Sequence, residues 1–326
     1  MIDWAVTMKC NLNCQHCRGM TPDELSTQEA LKVAQEIVKL NPGWIIIEGG
    51  EPLLRDGIWK ILKVLQGLDV NLITNGTLIN SENIERLKDL GVKVMLSLDS
   101  PYPEVYERIR TGAKFYEVLH NGEKLATQGI LHSINLTLSK HTYKDLPEMF
   151  SLAHSMGAEM INILGLKPCE EYQNQLLSKE EYKTAILSAC ESANNGVSFF
   201  FDEPFFYACL EEWNIDLPKP SKQSKILTSI TTSCIFGEYM FMEPNGDIKP
   251  CTFAPYVVGN AKEEVAKVWD SMKNSDFLAK IKSPETRTGV CKTCKYLDKC
   301  KGCRSRTYAL THDWFASDPA CPLSNI

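Results

Sequence analysis

The chain has 326 residues, enough for one large α/β domain and a smaller one. Hydrophobic residues make up 44%, which supports a packed core, and a net charge of −6 without any basic block gives no electrostatic footprint for nucleic acid. No apolar run approaches the ~20 residues that span a bilayer, and the opening "MIDWAVTMKC" has no charged leader, apolar segment or cleavage site. A cytoplasmic protein is expected, with neither nucleic acid nor membrane as partner.

In chain order, strand-like and helix-like segments alternate. Residues 3–8 form a short apolar run, followed by a loop of cysteines. Residues 25–40 carry Leu31, Ala34, Ile37 and Val38 at helical spacing, with Ser26 or Thr27 as N-cap and Glu29 in the first turn. "WIIIEGGEP" reads as a buried strand ending in glycines, "GIWKILKVLQGL" as a helix and "VNLITNG" as a strand. "SENIERLKDLG" has a Ser start and a Gly stop. The strands "KVMLSLD", "HSINLTLS" and "EMINILGL" then alternate with helices over 114–129, 143–157 and 178–193. Six β–α repeats with short connections predict a parallel sheet with helices outside, a partial (β/α)6 TIM-like barrel.

Such sheets carry their functional loops at the carboxyl ends of the strands. The cysteine loop, Gly49-Gly50-Glu51-Pro52, Asn75-Gly76, Ser97-Leu98-Asp99 and Gly165-Leu166-Lys167-Pro168 all follow strands and are expected on one rim. Residues 198–230 break the rhythm, and 217–225 reads as a linker. The cysteine-rich remainder has little room for a core of its own and needs metals to hold it together. The expected division is a barrel over 1–200, a bridging segment over 201–230 and a cluster-binding domain over 231–326.

Thirteen cysteines in a cytosolic chain point to metal or redox chemistry, because that compartment disfavours disulfides. "CNLNCQHC" places Cys10, Cys14 and Cys17 on one loop. Zinc could take these with His16, but His16 adjoins Cys17, which is awkward around one small ion. Three thiolates can instead grip three irons of a [4Fe–4S] cube and leave the fourth open.

A C-x3-C-x2-C loop after the first strand, with "GGEP" after the second, resembles the radical S-adenosylmethionine enzymes. The resemblance implies a [4Fe–4S] cluster on Cys10, Cys14 and Cys17, with S-adenosylmethionine chelated to the open iron. It also implies reductive cleavage to a 5′-deoxyadenosyl radical that abstracts hydrogen from a C–H bond. The segment Gly49, Gly50, Glu51 and Pro52 would meet the methionine amine, and Ser97 and Asp99 match positions that hold the ribose and carboxylate. Asn75 and Asn135 are further cofactor-binding candidates. Turn and capping roles are the plainer reading of Ser97, Asp99 and Asn75.

The C-terminal cysteines resemble the SPASM extension of radical S-adenosylmethionine maturases, which binds two auxiliary iron–sulfur clusters. By position, one cluster would take Cys291, Cys294, Cys300 and Cys321, and the other Cys234, Cys251 and Cys303. The second set shows only three thiolates. Two residues, not three, separate Cys300 from Cys303. Zinc is the alternative for the C-x2-C pairs. "EPNGDIKPC" fits a hairpin turning at Asn245-Gly246.

"CKGCRSRTYALTHDWFASDPACPL" is most similar to the C-termini of heme synthases of the alternative heme pathway and their heme d1 relatives, and the peptide-cofactor maturases share the short spacing. The resemblance implies a peptide or protein substrate, with a tetrapyrrole side-chain decarboxylase as the alternative. A non-catalytic iron–sulfur carrier or zinc scaffold is the remote one. A flavodoxin or ferredoxin would supply electrons. No fused peptide-recognition domain is expected ahead of the first strand, and a separate recognition protein could serve. Cys169, after the sixth strand, is a candidate hydrogen-atom donor, although such a cysteine is more often core. Cys190 and Cys209 are expected in the core. Arg304 and Arg306 are candidates for pairing with substrate carboxylates.

Overall fold

The computed structural model describes residues 1–19, 23–167, 174–193, 196–217 and 234–324. Cys169, Pro168 and the linker tract from 218 onward lie outside the described residues.

The strands are β1 (Ile2–Ala5), β2 (Asn13–Cys14), β3 (Ile45–Glu48), β4 (Val70–Thr74), β5 (Lys93–Ser97), β6 (Arg110–Thr111), β7 (Leu131–Leu138), β8 (Met160–Gly165), β9 (Ser198–Asp202), β10 (Met240–Met242), β11 (Asp247–Lys249) and β12 (Gly259–Asn260). The helices are α1 (Thr27–Leu40), α2 (Ile58–Leu65), α3 (Ser81–Asp89), α4 (Pro103–Ile109), α5 (Phe115–Thr127), α6 (Leu146–Met156), α7 (Lys179–Ser192), α8 (Phe206–Trp213), α9 (Val265–Lys273), α10 (Asp276–Lys282), α11 (Leu297–Cys300) and α12 (Arg304–Thr311). No described helix is long and apolar enough to cross a membrane.

The predicted caps account for where helices begin. Ser26 Oγ accepts the Glu29 N–H, and Glu29 returns a carboxylate to the Ser26 N–H at 2.8 Å. Ala30, Val33, Ala34 and Ile37 then form the buried stripe of α1. Ser178 and Glu181 repeat the device at α7.

The chain forms two compact units. The first comprises Met1–Ser97, Arg110–His132 and Gly237–Leu278. Its sheet runs β12-β11-β10-β1-β3-β4-β5, parallel from β10 to β5. β10, β11 and β12 pair antiparallel, and Gly246 takes φ +90° at the expected hairpin turn. Ile45, Ile47 and Leu72 are fully buried, which is why these strands read as continuous apolar runs.

The second unit comprises Leu98–Ile109, Ser133–Phe236 and Ala279–Ile326. Within it β7, β8 and β9 are parallel, with Asn135 opposite Asn162 and Asn162 opposite Phe200.

The sequence reading needs two corrections. Residues 198–213 are not a break in the rhythm, because they form another parallel strand and helix, β9 and α8. Their aromatics conceal the alternation: Phe199 and Phe201 are both buried, and Phe201 stacks on Phe206 at 4.9 Å. The cysteine-rich segment also does not stand wholly apart, since β10 pairs with β1, Asp3 opposite Phe241. The second unit's segment Ser133–Phe236 runs across the expected bounds at 200 and 231, and the first unit takes Gly237–Leu278 from beyond them.

Candidate active site

In the first unit the cysteine loop leaves β1 and is zipped to the segment after β3. The Gly50 N–H donates to Thr7 O at 2.9 Å and the Glu51 N–H to Lys9 O at 2.8 Å. Neither glycine tolerates a side chain. A Cβ at Gly50 would stand 2.4 Å from Lys9 O, and one at Gly49, where φ is +149°, 2.5 Å from Thr7 O. Gly49 and Gly50 thus hold the cysteine loop itself at close range.

Glu51 is fully buried. Its carboxyl accepts the Thr74 hydroxyl at 2.9 and 3.0 Å and the backbone N–H groups of Asn75 (2.8 Å) and Leu53 (3.2 Å). It therefore locks the carboxyl end of β3 to that of β4. Burial raises its pKa to about 7, against the pull of those hydrogen bonds. Pro52 is buried and opens the short turn that Glu51 caps.

Asn75 carries this lock to the cysteines. Its Nδ2 donates to Asn11 Oδ1 at 3.0 Å and lies 4.0 Å from Cys10 Sγ, which also receives the Leu12 N–H at 3.4 Å. Cys14 faces Arg110 across the β2–β6 ladder, with Arg110 Nη1 3.9 Å from its sulfur. Arg18, next to Cys17, pairs with Glu48 at 3.1 Å and Glu243 at 3.4 Å and lies over the Phe241 ring. Ser97 is buried at the end of β5, the strand beside β4. Cys251, also in this unit, is followed by Thr252, whose N–H donates to the Tyr239 hydroxyl at 2.9 Å.

In the second unit Asp99 is fully buried and accepts the Thr137 N–H at 2.7 Å, while the Asn135 carbonyl accepts the Leu98 N–H at 2.9 Å. Asn135 Oδ1 also accepts from Asn162 at 2.7 Å and from Ser133 at 3.1 Å. The structure thus joins Cys10, Asn75 and Glu51 in one unit, and Asp99 and the strand of Asn135 in the other.

Cys234, Cys291, Cys294, Cys300, Cys303 and Cys321 lie in the second unit, on and around α11 and α12. The Cys234 N–H donates to Cys300 O at 3.4 Å, the Cys291 N–H to Ser317 Oγ at 3.0 Å and the Cys303 N–H to Asp318 Oδ2 at 2.8 Å. Lys301 and Gly302 take φ +60° and +64°, forming the tight turn between Cys300 and Cys303. Burial pushes the Cys303 and Cys321 thiols up to about 12. Cys190 and Cys209 are buried, as expected of core residues.

Arg304 and Arg306 are engaged by the protein's own groups. Arg306 is fully buried and clamped by Glu203 (2.8 and 2.9 Å) and Asp318 (2.8 and 2.7 Å). Arg304, 1% exposed, donates to the carbonyls of Gly302, Trp314 and Ala316. This corrects the expectation that they receive carboxylates. Arg18 could have been found beside Cys17. Arg110 and Arg287 could not, because only the fold brings them to the cysteines.

These residues fit iron–sulfur clusters. No disulfide forms among the described cysteines, and N–H groups are directed at the Cys10 and Cys14 sulfurs, as suits thiolates. Among the described residues no three ligand side chains are drawn together tightly enough for a single ion.

A parallel β–α sheet whose strand ends brace a three-thiol loop against a Gly-Gly-Glu-Pro segment defines a cluster-bearing enzyme of the TIM-like class. The radical SAM superfamily is matched over residues 4–153, and SPASM, an iron–sulfur cluster-binding domain, over 234–304. The chain belongs to the radical SAM superfamily and carries a SPASM domain; it is an enzyme that uses S-adenosylmethionine and iron–sulfur clusters. It is 29% identical to an AdoMet-dependent heme synthase of Methanosarcina barkeri, over 98% of this chain and 95% of that one. It is 25% identical to the mycofactocin maturase MftC of Mycobacterium ulcerans, over 98% and 87%. Its fold is similar to that of Streptococcus suis SuiB bound to S-adenosylmethionine, with TM-score 0.77 and 16% identity over 98% of this chain and 76% of that one.

Proposed function

We propose that this enzyme cleaves S-adenosylmethionine reductively and abstracts hydrogen from a peptide or protein substrate, in post-translational or peptide-cofactor maturation. When bound, the cluster and S-adenosylmethionine supply the 5′-deoxyadenosyl radical. Cys10, Cys14 and Cys17 would hold that cluster, and Asn75 and Arg110 direct N–H groups at two of the sulfurs. Gly49, Gly50, Glu51 and Pro52 fix the loop against β3 and β4, and their backbone is the surface offered to the methionine amine. Ser97, Asn75, Asp99 and Asn135 are the remaining cofactor contacts. Cys169 is the candidate hydrogen donor.

By position in the SPASM pattern, Cys291, Cys294, Cys300 and Cys321 would take one auxiliary cluster, and Cys234, Cys251 and Cys303 the other. The cytoplasm, a flavodoxin or ferredoxin reductant and a separate peptide-recognition protein complete the reading.

One observation favours the peptide: among the described residues, four cations in or near this region already have carboxylate partners. Arg18 pairs with Glu48 and Glu243, Arg55 with Glu24, Lys167 with Asp202, and Arg306 with Glu203 and Asp318. Substrate propionates would need other cations. The tetrapyrrole reading keeps one support, the near full-length match to AdoMet-dependent heme synthases. Anaerobic turnover with dithionite, followed by mass spectrometry, tests both. Formation of 5′-deoxyadenosine with a mass change on a candidate precursor peptide is expected. A loss of carbon dioxide from an iron porphyrin carrying propionates, with peptides untouched, would replace the first reading by the second.

A further inference from the structure

Three guanidinium groups are buried in the second unit, those of Arg287, Arg304 and Arg306, at 2%, 1% and 0% exposure. Two buried carboxylates, Glu203 and Asp318, face them, and both are clamped on Arg306. Arg287 and Arg304 make no ion pair among the described residues. Arg287 donates to the carbonyls of Lys301 and Ile281 and to the Thr286 hydroxyl. Arg304 donates only to carbonyls, and its Nη2 is buried with no hydrogen-bond partner. Two buried cations with no ion pair among the described residues are costly to desolvate, so the fold calls for an anion beside them.

Their place identifies it. Arg287 Nε donates to Lys301 O and Arg304 Nε to Gly302 O, both at 3.2 Å. Lys301 and Gly302 are the two residues between Cys300 and Cys303, and the Gly302 N–H points to Cys300 Sγ at 3.4 Å. Arg287 lies close enough to Cys234, Cys291 and Cys300 for thiolates held there on a cluster to act on its charge. A [4Fe–4S] cube in its oxidised resting state with four thiolates carries a charge of −2, which the two unpaired guanidiniums offset.

We infer that Arg287 and Arg304 are positioning residues for the auxiliary cluster at Cys291 and Cys300: they hold the Cys300–Cys303 turn and supply the charge that raises the cluster's reduction potential. The inference rests on the reading that these cysteines bind iron and sulfide. A cluster so placed is biased to accept one electron from a substrate radical, which is thereby oxidised. Asp318 feels Arg304 but stays engaged with Arg306 and the Cys303 N–H.

The test uses the full chain carrying Cys10→Ala, Cys14→Ala and Cys17→Ala, so that only auxiliary clusters remain. These are titrated potentiometrically and followed by electron paramagnetic resonance. Arg287→Gln and Arg304→Gln should each lower one cluster's midpoint, so that at fixed solution potential its reduced fraction drops by about tenfold or more. Arg287→Lys keeps the charge and should restore the midpoint; this separates electrostatic action from a merely structural role. Unchanged midpoints in both Gln variants with iron retained overturn the inference and leave the cluster reading standing. Absence of auxiliary iron and sulfide in the triple variant overturns the cluster reading itself.

Discussion

Gly50→Ala tests the bracing of the cysteine loop. A Cβ there would stand 2.4 Å from Lys9 O and 2.6 Å from Met8 O, where real Cβ atoms essentially never come under 3.0 Å. Both obstacles are backbone, so no rotamer can relieve them, and the loop must retreat by about 0.6 Å, from 2.4 to 3.0 Å. Lys9 O also accepts the Glu51 N–H, so the retreat strains that bond. Overpacking of ~1–3 kcal/mol and a weakened hydrogen bond of ~1 kcal/mol together predict a loss of about 2–4 kcal/mol. Misplacing a positioning element by ~1 Å can cost ~10²-fold in rate, so the smaller shift here should lower 5′-deoxyadenosine formation by about tenfold. The assay is anaerobic turnover with dithionite, read by liquid chromatography, beside urea unfolding of the same preparations. A variant that keeps more than half of the wild-type rate and the wild-type urea midpoint would refute the reasoning.

Glu51 predicts a pH dependence. Its pKa is raised to about 7 from 4.5 by burial, so between those values the folded chain keeps a proton that the unfolded chain has lost. Stability should therefore fall as pH rises across that window, by up to about 3 kcal/mol, and Glu51→Gln should flatten the slope. Urea midpoints of cluster-free protein at pH 5 and pH 8 check this; equal slopes in both proteins would exclude it. Cys14→Ala should cost about four irons per chain and all 5′-deoxyadenosine formation, while the auxiliary clusters stay. Iron analysis beside the turnover assay measures it, and full iron content would contradict the ligand assignment. Ser26→Ala removes the cap of α1 and should lower stability by ~1 kcal/mol without changing the rate, as chemical denaturation beside turnover would show.

The local signals were legible because their physics is local. Ser26 and Glu29 cap a helix whose apolar stripe has one period, and Asn245-Gly246 turns a hairpin, whatever the rest of the chain does. The cysteine spacing and the Gly-Gly-Glu-Pro segment together carried the cofactor chemistry. β9 was hidden because Phe199, Phe200 and Phe201 are alike in residue type, so the sequence does not show the alternation that burial does, with Phe199 and Phe201 buried and Phe200 and Asp202 half-buried. β10 was hidden because parallel pairing joins residues 2–4 to 240–242, and nothing near either segment encodes that partnership.

The sequence alone determined which thiols are available, at what spacing, and which glycines let the backbone come close, because these properties belong to residue types and short separations. Tertiary structure decided where the charges go. It placed Arg110 against Cys14 across the short β2–β6 ladder, turned Glu51 inward as a lock, and sealed Arg306 between Glu203 and Asp318. It also left Arg287 and Arg304 buried with only oxygens of uncharged groups as hydrogen-bond acceptors. A side chain's charge is fixed by its chemistry, but its free energy depends on burial and on partners that folding brings from distant parts of the chain.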